Sequence, residues 1–345
     1  MREYIVLARD GVASKSFRDI EATGAKIVET YTHLRAALVR AEDDTALKAY
    51  GTVVEDFDVH LEELEDQPDD PTNVPESGWN LDMLRVQDAH DAGYTGAGVK
   101  VAVVDTGCDF SHEVFNGMNV YGYNVLDDSD NVRDTHGHGT GTAGLVAQVA
   151  PDVEVYSIKV FGTNTSDTKF STTLKGIDKA MDLDVDVINC SFGRYGRESS
   201  AEKEVYKRVH DAGITVACSS GNYGTDHIWH YPSAYDWNLS VGSVNSGEKR
   251  SSFSCYGETT GLDLMAPGEK VTLPKVGGGY RLGSGTSFAS PHAAGAAALL
   301  KGKDASMTPD DIMGSLKGGA RQPAEYNDHE YGAGIIDLYE TLVGA

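Results

Sequence analysis

The hydrophobic positions of the chain follow two different patterns, and the change falls near Trp79. Up to about residue 64, short apolar runs are interrupted by polar positions. This pattern predicts, in order, a strand, a helix, two strands, a helix and a strand in the segments YIVLA, SFRDIEAT, AKIVETYT, RAALVRA, EDDTALKAYG and TVVEDFDV. Residues 1–64 are therefore predicted to form a small α+β domain with an antiparallel sheet.

Beyond Trp79 the apolar runs are continuous and are separated by segments with helical periodicity. The runs are VKVAVVD, VEVYSIKV, VDVINCS, ITVACSSG, LSVGSV and LDLMAPG. Continuous runs rich in β-branched residues are typical of parallel strands that are buried on both faces. The predicted fold class of residues 79–345 is therefore α/β, with a mostly parallel sheet between helices.

The two blocks are joined by residues 65–78, EDQPDDPTNVPESG. This segment collects acidic residues and prolines and has no apolar periodicity, which is typical of an exposed linker. Such a segment is also a preferred site of proteolytic cleavage.

Composition and charge narrow the possible partners. The 345 residues include 53 acidic and 29 basic side chains, so the formal net charge is -24. A field of this sign repels nucleic acid and anionic membranes, and we expect neither as a partner. We find no apolar run long enough for a signal peptide or a membrane span, which predicts a cytoplasmic protein, or a secreted one if an export signal is missing from this sequence.

Reactive side chains stand at three places that a parallel sheet would bring together. Asp105 ends the run VKVAVVD, His136 and His138 precede a small-residue segment that reads as a helix start, and Ser287 precedes a helix that is apolar on nearly all sides. Because functional residues of such sheets collect at the carboxyl ends of the strands, an acid, a base and a hydroxyl can meet there. A serine at a helix start is by itself more often a simple cap.

Three motifs around these residues are specific. VAVVDTG, HGTGTAG and GTSFASPHAAGAAAL resemble the aspartate, histidine and serine motifs of the subtilisin-like serine proteases, and VINCSFG and ACSSGNYG resemble segments between them. The resemblance covers about the last four fifths of the chain. It implies a serine endopeptidase with a catalytic triad of Asp105, His138 and Ser287, and it leaves His136 in a loop outside the triad.

The same resemblance assigns the groups around the triad. Asn222 in SSGNYG matches the asparagine that stabilises the oxyanion, together with the backbone N–H of Ser287. A polypeptide substrate is expected to lie as an added strand along the segment CSFG. The first specificity pocket is expected to take an apolar side chain, and its predicted lining is Ser191, Phe192, Gly193, Ser219, Ser220 and Gly221.

The amino-terminal block resembles the inhibitory propeptide of these proteases. This implies a self-processing zymogen whose own amino-terminal domain is an intramolecular inhibitor. Cleavage is predicted after Leu64, with Leu61 in a second apolar subsite. A permanent acidic regulatory domain is the alternative.

Other functions and cofactors are weighed against this hypothesis. One alternative is a non-catalytic relative that binds peptides or a partner, but such a protein would not need the acid, base, hydroxyl and amide together. Another is a dinucleotide-binding enzyme, but its glycines would follow the strand, whereas those of GAGVKVAVVDTG precede it. A zinc site of His112, His136 and His138 lacks a fourth ligand. No cofactor is expected to be required. Val114 and a short loop argue against the family's strong calcium site, although a weaker cation site near Asp263 stays open.

The four cysteines, Cys108, Cys190, Cys218 and Cys255, lack metal-site spacing and are too few for a disulfide scaffold. We expect buried free thiols.

Overall fold

A computed structural model of the chain describes residues 1–8, 17–62 and 78–344. The amino-terminal domain holds a four-stranded antiparallel sheet with the strand order β2-β3-β1-β4. One short helix and a fifth strand complete this part of the chain: β1 (Arg2–Ala8), α1 (Phe17–Ile20), β2 (Lys26–Tyr31), β3 (Ala36–Ala41), β4 (Gly51–Glu55) and β5 (Asp58–Leu61).

The amino-terminal sequence pattern is confirmed for the first three strands and differs in two places. The predicted helix EDDTALKAYG is reduced to one 3-10 turn, Leu47–Ala49, because Asp43 accepts a hydrogen bond from the backbone of Thr45 and forms a local turn instead. The predicted strand TVVEDFDV is two strands, β4 and β5. The chain leaves the first sheet between them, where the ring of Phe57 stacks on Phe170 at 4.5 Å.

The second domain is built on a seven-stranded parallel sheet with the order β15-β14-β12-β10-β6-β8-β7. This confirms the predicted fold class, and each of the six continuous runs supplies one of its strands. Five further strands lie outside this sheet: β9, β11 and β13 belong to a second sheet, and β16 and β17 form a hairpin. The strands of the domain are β6 (Lys100–Asp105), β7 (Asn119–Asn124), β8 (Glu154–Lys159), β9 (Asp167–Lys169), β10 (Val187–Cys190), β11 (Phe192–Tyr195), β12 (Thr215–Ser219), β13 (His230–Tyr231), β14 (Leu239–Val244), β15 (Leu264–Pro267), β16 (Val271–Pro274) and β17 (Tyr280–Gly283).

Helices cover both faces of this sheet. One face packs against α4 and α7 and the other against α5 and α6, and each interface holds a large cluster of buried apolar side chains. The helices are α2 (Trp79–Met83), α3 (Val86–Asp91), α4 (His138–Val149), α5 (Phe170–Asp182), α6 (Ser200–Asp211), α7 (Thr286–Lys303), α8 (Pro309–Gly318), α9 (Asp328–Tyr331) and α10 (Leu338–Leu342). In the described ranges we find no helix with the length and apolarity to cross a bilayer.

The amino-terminal sheet docks on α5 and α6. Ile5 and Leu7 of β1 share one buried cluster with side chains of both helices. Polar contacts also fix the orientation of the docked sheet. Arg208 of α6 donates hydrogen bonds to the carbonyls of Ala8 and Leu34. Asp56 accepts from the backbone N–H and hydroxyl of Ser171, so a carboxylate stands at the amino terminus of α5, where the helix dipole favours it.

Strand β5 belongs to a different sheet from β1–β4. It lies between two strands of the second domain, in the order β13-β11-β5-β9, and pairs antiparallel with both neighbours. Leu61 stands opposite Phe192, and Asp58 stands opposite Lys169. The last described residues of the amino-terminal domain therefore run as a strand along the surface of the second domain.

Candidate active site

Asp105 and His138 form a buried hydrogen-bonded pair. Asp105 is the last residue of β6 and His138 the first of α4, and neither is exposed to solvent. The ring Nδ1 of His138 lies 2.7 and 2.9 Å from the two carboxylate oxygens of Asp105. The backbone N–H of Thr106 donates to the same carboxylate at 2.7 Å. With a proton on Nδ1, the second ring nitrogen of His138 is left as a base.

Thr142 adds a contact that the sequence analysis missed. Its hydroxyl lies 3.1 Å from Asp105 Oδ2 and 3.1 Å from the carbonyl of Gly139. Thr142 lies in the motif HGTGTAG, which the sequence analysis used only to identify His138. The structure shows a hydroxyl donor one helical turn from the histidine, within reach of the acid that orients it.

Asp134 holds the loop before His138 and was also missed. Its carboxylate accepts hydrogen bonds from the backbone N–H groups of His136, Gly137 and Thr140, and from the Thr140 hydroxyl. Burial alone would raise the pKa of Asp134, but these donors lower it below its ordinary value. A buried carboxylate at the start of α4 therefore fixes the backbone on which the histidine stands.

Ser287 lies in the first turn of α7 and is fully buried. Its helix packs against α4, and the ring of the next residue, Phe288, lies 5.4 Å from the ring of His138. Within the described part of the chain, the Ser287 hydroxyl makes no hydrogen bond. A Cβ atom added to Gly285 would lie 2.8 Å from Ser287 Oγ and 2.9 Å from the carbonyl oxygen of Glu62, so both atoms converge on the space that this glycine leaves open.

Asn222 is held in one orientation. Its side-chain oxygen accepts hydrogen bonds from the backbone N–H of Thr286 at 2.9 Å and from the Thr286 hydroxyl at 2.8 Å. Its side-chain NH₂ therefore points away from Thr286, and it donates to the carbonyl of Glu62 at 2.7 Å. The amide thus presents a fixed donor to a peptide carbonyl beside the start of α7.

The groove next to this donor is filled by the amino-terminal domain. Strand β5 occupies it, and the backbone N–H of Glu62 approaches the carbonyl of Ser191 at 3.4 Å. Of the predicted lining, Phe192 and Gly193 pair with β5, and the N–H of Gly221 donates to Thr286 Oγ1 at 3.2 Å. The remaining predicted residues, Ser219 and Ser220, are buried at the end of β12.

The residue whose carbonyl meets Asn222 is Glu62, not an apolar residue. The predicted cleavage position, Leu64, lies outside the described residues and stays a prediction. Leu61, predicted to occupy a second apolar subsite, is buried in the groove one residue before Glu62.

The other candidate ligands lie apart from this centre. His112 approaches the carbonyl of Gly279 at 2.7 Å, and the His136 ring lies 6.3 Å from that of His138. Across residues 1–8, 17–62 and 78–344, we find no cluster of three His, Cys, Asp or Glu side chains that could hold a metal ion. Asp263 is engaged by Lys317 at 2.6 Å and by the backbone N–H of Ser240. All four cysteines are buried and free.

Comparison with known proteins agrees with this geometry. A sequence profile described as the subtilase family matches residues 96–334. The chain belongs to the subtilase family. The resemblance carried by the three motifs is thereby confirmed.

Several named subtilases are similar to the chain. Subtilisin NAT of Bacillus subtilis subsp. natto is 32% identical over 332 residues, which cover 92% of this chain and 84% of that protein. Subtilisin of Bacillus pumilus is 35% identical over 272 residues, 75% of this chain and 96% of that protein. Subtilisin Savinase of Lederbergia lenta is 35% identical over 268 residues, with the same coverage. As a subtilase, the protein is a serine endopeptidase, a hydrolase whose substrates are polypeptides.

Proposed function

We propose that this subtilase is a self-processing zymogen in which Asp105, His138 and Ser287 hydrolyse peptide bonds through an acyl-enzyme. The observation that carries the proposal is the hydrogen bond from Asn222 to the carbonyl of Glu62, at the carboxyl end of a strand that fills the groove. A peptide carbonyl of the chain itself thereby stands beside the candidate nucleophile.

Each triad residue has a role that follows from its place. The Ser287 oxygen attacks the carbonyl carbon while its proton passes to Nε2 of His138, and Asp105 holds the imidazole in the required tautomer and stabilises its charge. The amino terminus of the 18-residue helix α7 favours negative charge developing on the serine. Ser287 Oγ has no hydrogen-bond partner within the described residues, and catalytic hydrogen bonds of this kind often form only in the reacting complex.

Negative charge on the carbonyl oxygen is met by Asn222 and by the backbone N–H of Ser287. When the C–N bond breaks, the proton held by His138 goes to the leaving amine, and the acyl group stays on Ser287 as an ester. A water molecule then attacks the ester, and its proton passes through His138 back to the Ser287 oxygen. These side chains supply the acid, the base and the charge stabilisation, so no cofactor enters the reaction.

The amino-terminal domain acts as an intramolecular inhibitor in this proposal. Its strand β5 makes main-chain pairs with β9 and β11, the same contacts that an extended substrate would make. Docking on α5 and α6, with Arg208 on two of its carbonyls, keeps the cleaved strand in place. Inhibition is relieved when the domain leaves or is degraded.

The decisive experiment compares the full chain with Ser287→Ala. The parent chain should release a fragment of about 7 kDa, given 36.9 kDa for 345 residues. It should also hydrolyse casein and be inactivated by a serine-directed phosphonate. Ser287→Ala should remain whole and inactive. Ser306→Ala, a change at an exposed serine that contacts Asp304, serves as the matched control and should still process.

Two results would count against the proposal. Casein hydrolysis that persists in Ser287→Ala contradicts the assigned nucleophile. A folded parent chain that neither processes nor reacts with the phosphonate favours the non-catalytic peptide-binding alternative.

A further inference from the structure

The side chain of Glu62 enters a closed polar pocket. Only 5% of the residue is exposed, although it carries a carboxylate. One carboxylate oxygen lies 2.9 Å from Nε2 of His230, and the other accepts a hydrogen bond from the hydroxyl of Tyr195 at 3.2 Å. Burial of a carboxylate is costly unless donors of this kind surround it. The pocket therefore provides two separate donors for the two oxygens of an acid.

His230 is fixed at the floor of the pocket. It lies in β13, is fully buried, and its Nδ1 contacts the hydroxyl of Ser233 at 2.9 Å. Because an ionised carboxylate can only accept hydrogen bonds, Nε2 of His230 must carry a proton when the acid is bound. A hydrogen bond of this charged kind is stronger than a neutral one.

Tyr195 connects the pocket to the oxyanion asparagine. Its oxygen accepts a 2.7 Å hydrogen bond from the backbone N–H of Asn222 and donates its own proton to Glu62. Burial, and next the negative charge of Glu62, raise the pKa of Tyr195, so the phenol keeps the proton that it donates. Its ring stacks on that of Tyr223, with the ring centroids 4.1 Å apart.

Two glycines make room for these side chains. A Cβ atom on Gly193 would collide with the ring of His230, and one on Gly221 would lie 2.8 Å from the Tyr195 hydroxyl. The sequence analysis named both glycines in the pocket lining and expected an apolar occupant. The structure explains the two glycines differently, since they leave space for a histidine and a tyrosine that come from elsewhere in the chain.

Charges behind the pocket do not oppose an acid. Glu202 is buried, but Arg194 pairs with it at 2.5 Å, and the Tyr235 hydroxyl donates to it at 3.0 Å. Burial raises the pKa of Glu202 and Arg194 lowers it. The negative charge of Glu202 is therefore paired with the positive charge of Arg194.

The register of β5 decides which residue enters the pocket. Val59 and Leu61 point into the protein, with 2% and 8% of their surface exposed, while Asp58 and His60 are exposed. A slip of one residue would turn both apolar side chains outward, so the register is strongly set. Glu62 follows directly, with its carbonyl on Asn222.

We propose that the first specificity pocket of this subtilase, built by His230 and Tyr195, selects glutamate immediately before the scissile bond. The proposal rests on the proposed endopeptidase function and gives its substrate class. It places self-cleavage between Glu62 and Glu63 instead of after Leu64. An apolar side chain in the pocket leaves two buried donors unpartnered, and such sites reject analogues that lack the matching group.

Peptide substrates test the pocket directly. The processed enzyme is given chromogenic peptides of the form Val-His-Leu-Xaa, with Glu, Gln, Asp or Leu as Xaa. We expect kcat/KM for Glu to exceed that for Gln by about 10-fold or more and that for Leu by about 100-fold. Asp should also be poorer than Glu, because it is shorter by one methylene and cannot meet both donors. Preference for Leu over Glu would overturn the pocket assignment and leave the endopeptidase function intact.

Variants locate the selectivity. His230→Leu should reduce kcat/KM for the Glu peptide by about 100-fold and raise it for the Leu peptide, and Tyr195→Phe should lower the Glu preference by about 10-fold. His329→Gln is the control, because that histidine is exposed and pairs with Asp226 away from the pocket. A His230→Leu enzyme that folds and keeps its full Glu preference would contradict the role of His230.

A binding readout remains informative even in a chain without activity. In the Ser287→Ala background, Glu62→Leu should speed amide hydrogen exchange in β5 by about 10-fold or more, while Glu55→Leu on the exposed edge of β4 should not. Unchanged exchange in Glu62→Leu would show that the pocket does not hold the carboxylate.

The amino terminus of the mature enzyme identifies the cleaved bond. Mass spectrometry should find a terminus at residue 63. A terminus at residue 65 would favour cleavage after Leu64 and contradict the proposed site.

Discussion

The carbonyl oxygen of Glu62 accepts a 2.7 Å hydrogen bond from the side-chain amide of Asn222. Asn222 is oriented by Thr286, the residue directly before Ser287, so the donor and the candidate nucleophile are positioned by the same helix start. In the proposed mechanism, the bond that follows Glu62 is therefore the one presented for attack.

Removing the Asn222 donor should slow the chemical step. For Asn222→Ala we expect kcat to fall by about 10²–10³-fold with little change in KM, the loss characteristic of a single oxyanion donor, as known from subtilisin. Asn222→Asp keeps the acceptor for Thr286 but lacks the NH₂ group, and it should be impaired at least as strongly. An active Asn222→Asp enzyme would mean that the side chain only supports Thr286. Steady-state kinetics on one chromogenic peptide checks both variants.

Loss of the Asp105 charge should disable the histidine. Asp105→Asn presents an NH₂ group to the imidazole and favours the wrong tautomer, so kcat should fall by about 10⁴-fold. Single-turnover kinetics at neutral pH measures this. Asp130→Asn, at an exposed loop position, is the control and should leave kcat unchanged. Equal losses in both variants would point to general charge effects.

Thr142 should act as a positioning residue for the acid. Thr142→Val removes a hydroxyl within 3.1 Å of Asp105, and we expect kcat to fall by about 10-fold, since a hydrogen bond to a charged group contributes about 1.5–3 kcal/mol. Thr142→Ser restores the hydroxyl and should recover most of the activity. If valine and serine behave alike, Thr142 serves packing alone. The pH profile of kcat/KM, recorded for all three enzymes, separates the two roles.

Arg208 should control how long the cleaved domain stays bound. Its guanidinium spans the carbonyls of Ala8 and Leu34, so Arg208→Ala loses two charged hydrogen bonds across the docking surface. We expect the amino-terminal fragment to dissociate about 10-fold faster or more after processing, seen as an earlier rise of protease activity. Lys203→Ala, on the same helix and paired with Glu198, should release the fragment at the parent rate.

Stability should fall in mildly acidic solution because of His292. Burial lowers the pKa of His292 to about 4, and its two nitrogens contact Asn80 and the carbonyl of Phe288. The unfolded chain takes up a proton near pH 6.5 while the folded one does not. This contribution to stability is therefore complete above pH 6.5 and is lost as the pH falls towards 4, by about 3 kcal/mol.

Denaturant unfolding of the Ser287→Ala chain between pH 7 and 4.5 tests this without self-digestion. His292→Gln should flatten the pH dependence in that range, whereas the exposed His329→Gln should leave its slope unchanged. A slope that is the same in the parent and in His292→Gln would contradict the assignment.

The central strands and the motif residues could be predicted because their signals are local. A strand buried on both faces, such as β6, must be continuously apolar, and the acid that ends it stands out in the sequence. The edge strand β7, NVYGYN, was missed because it alternates in the manner of a half-exposed strand. Its alternating pattern follows from its place at the edge of the sheet, and the sequence does not reveal that place.

The pocket could not be predicted because its parts meet only in the folded chain. Tyr195 and His230 come from neighbouring strands β11 and β13, and neither lies in a recognisable motif. The proposed cleavage position is equally hard to read from the sequence. LEELE offers a leucine at 61 and another at 64, and composition does not distinguish them. Only the pairing of Leu61 with Phe192 sets the register.

Strand β5 is held on both edges, by β9 and by β11. A visiting chain that replaces it must offer its backbone N–H and C=O groups on two sides at once, over about four consecutive residues. In a segment that is already in a helix or in the middle of a sheet, these groups are hydrogen-bonded within the substrate protein. We therefore expect the proposed enzyme to discriminate by conformation before it reads any side chain, so that loops, frayed termini and unfolded polypeptides are cut faster than compact native proteins.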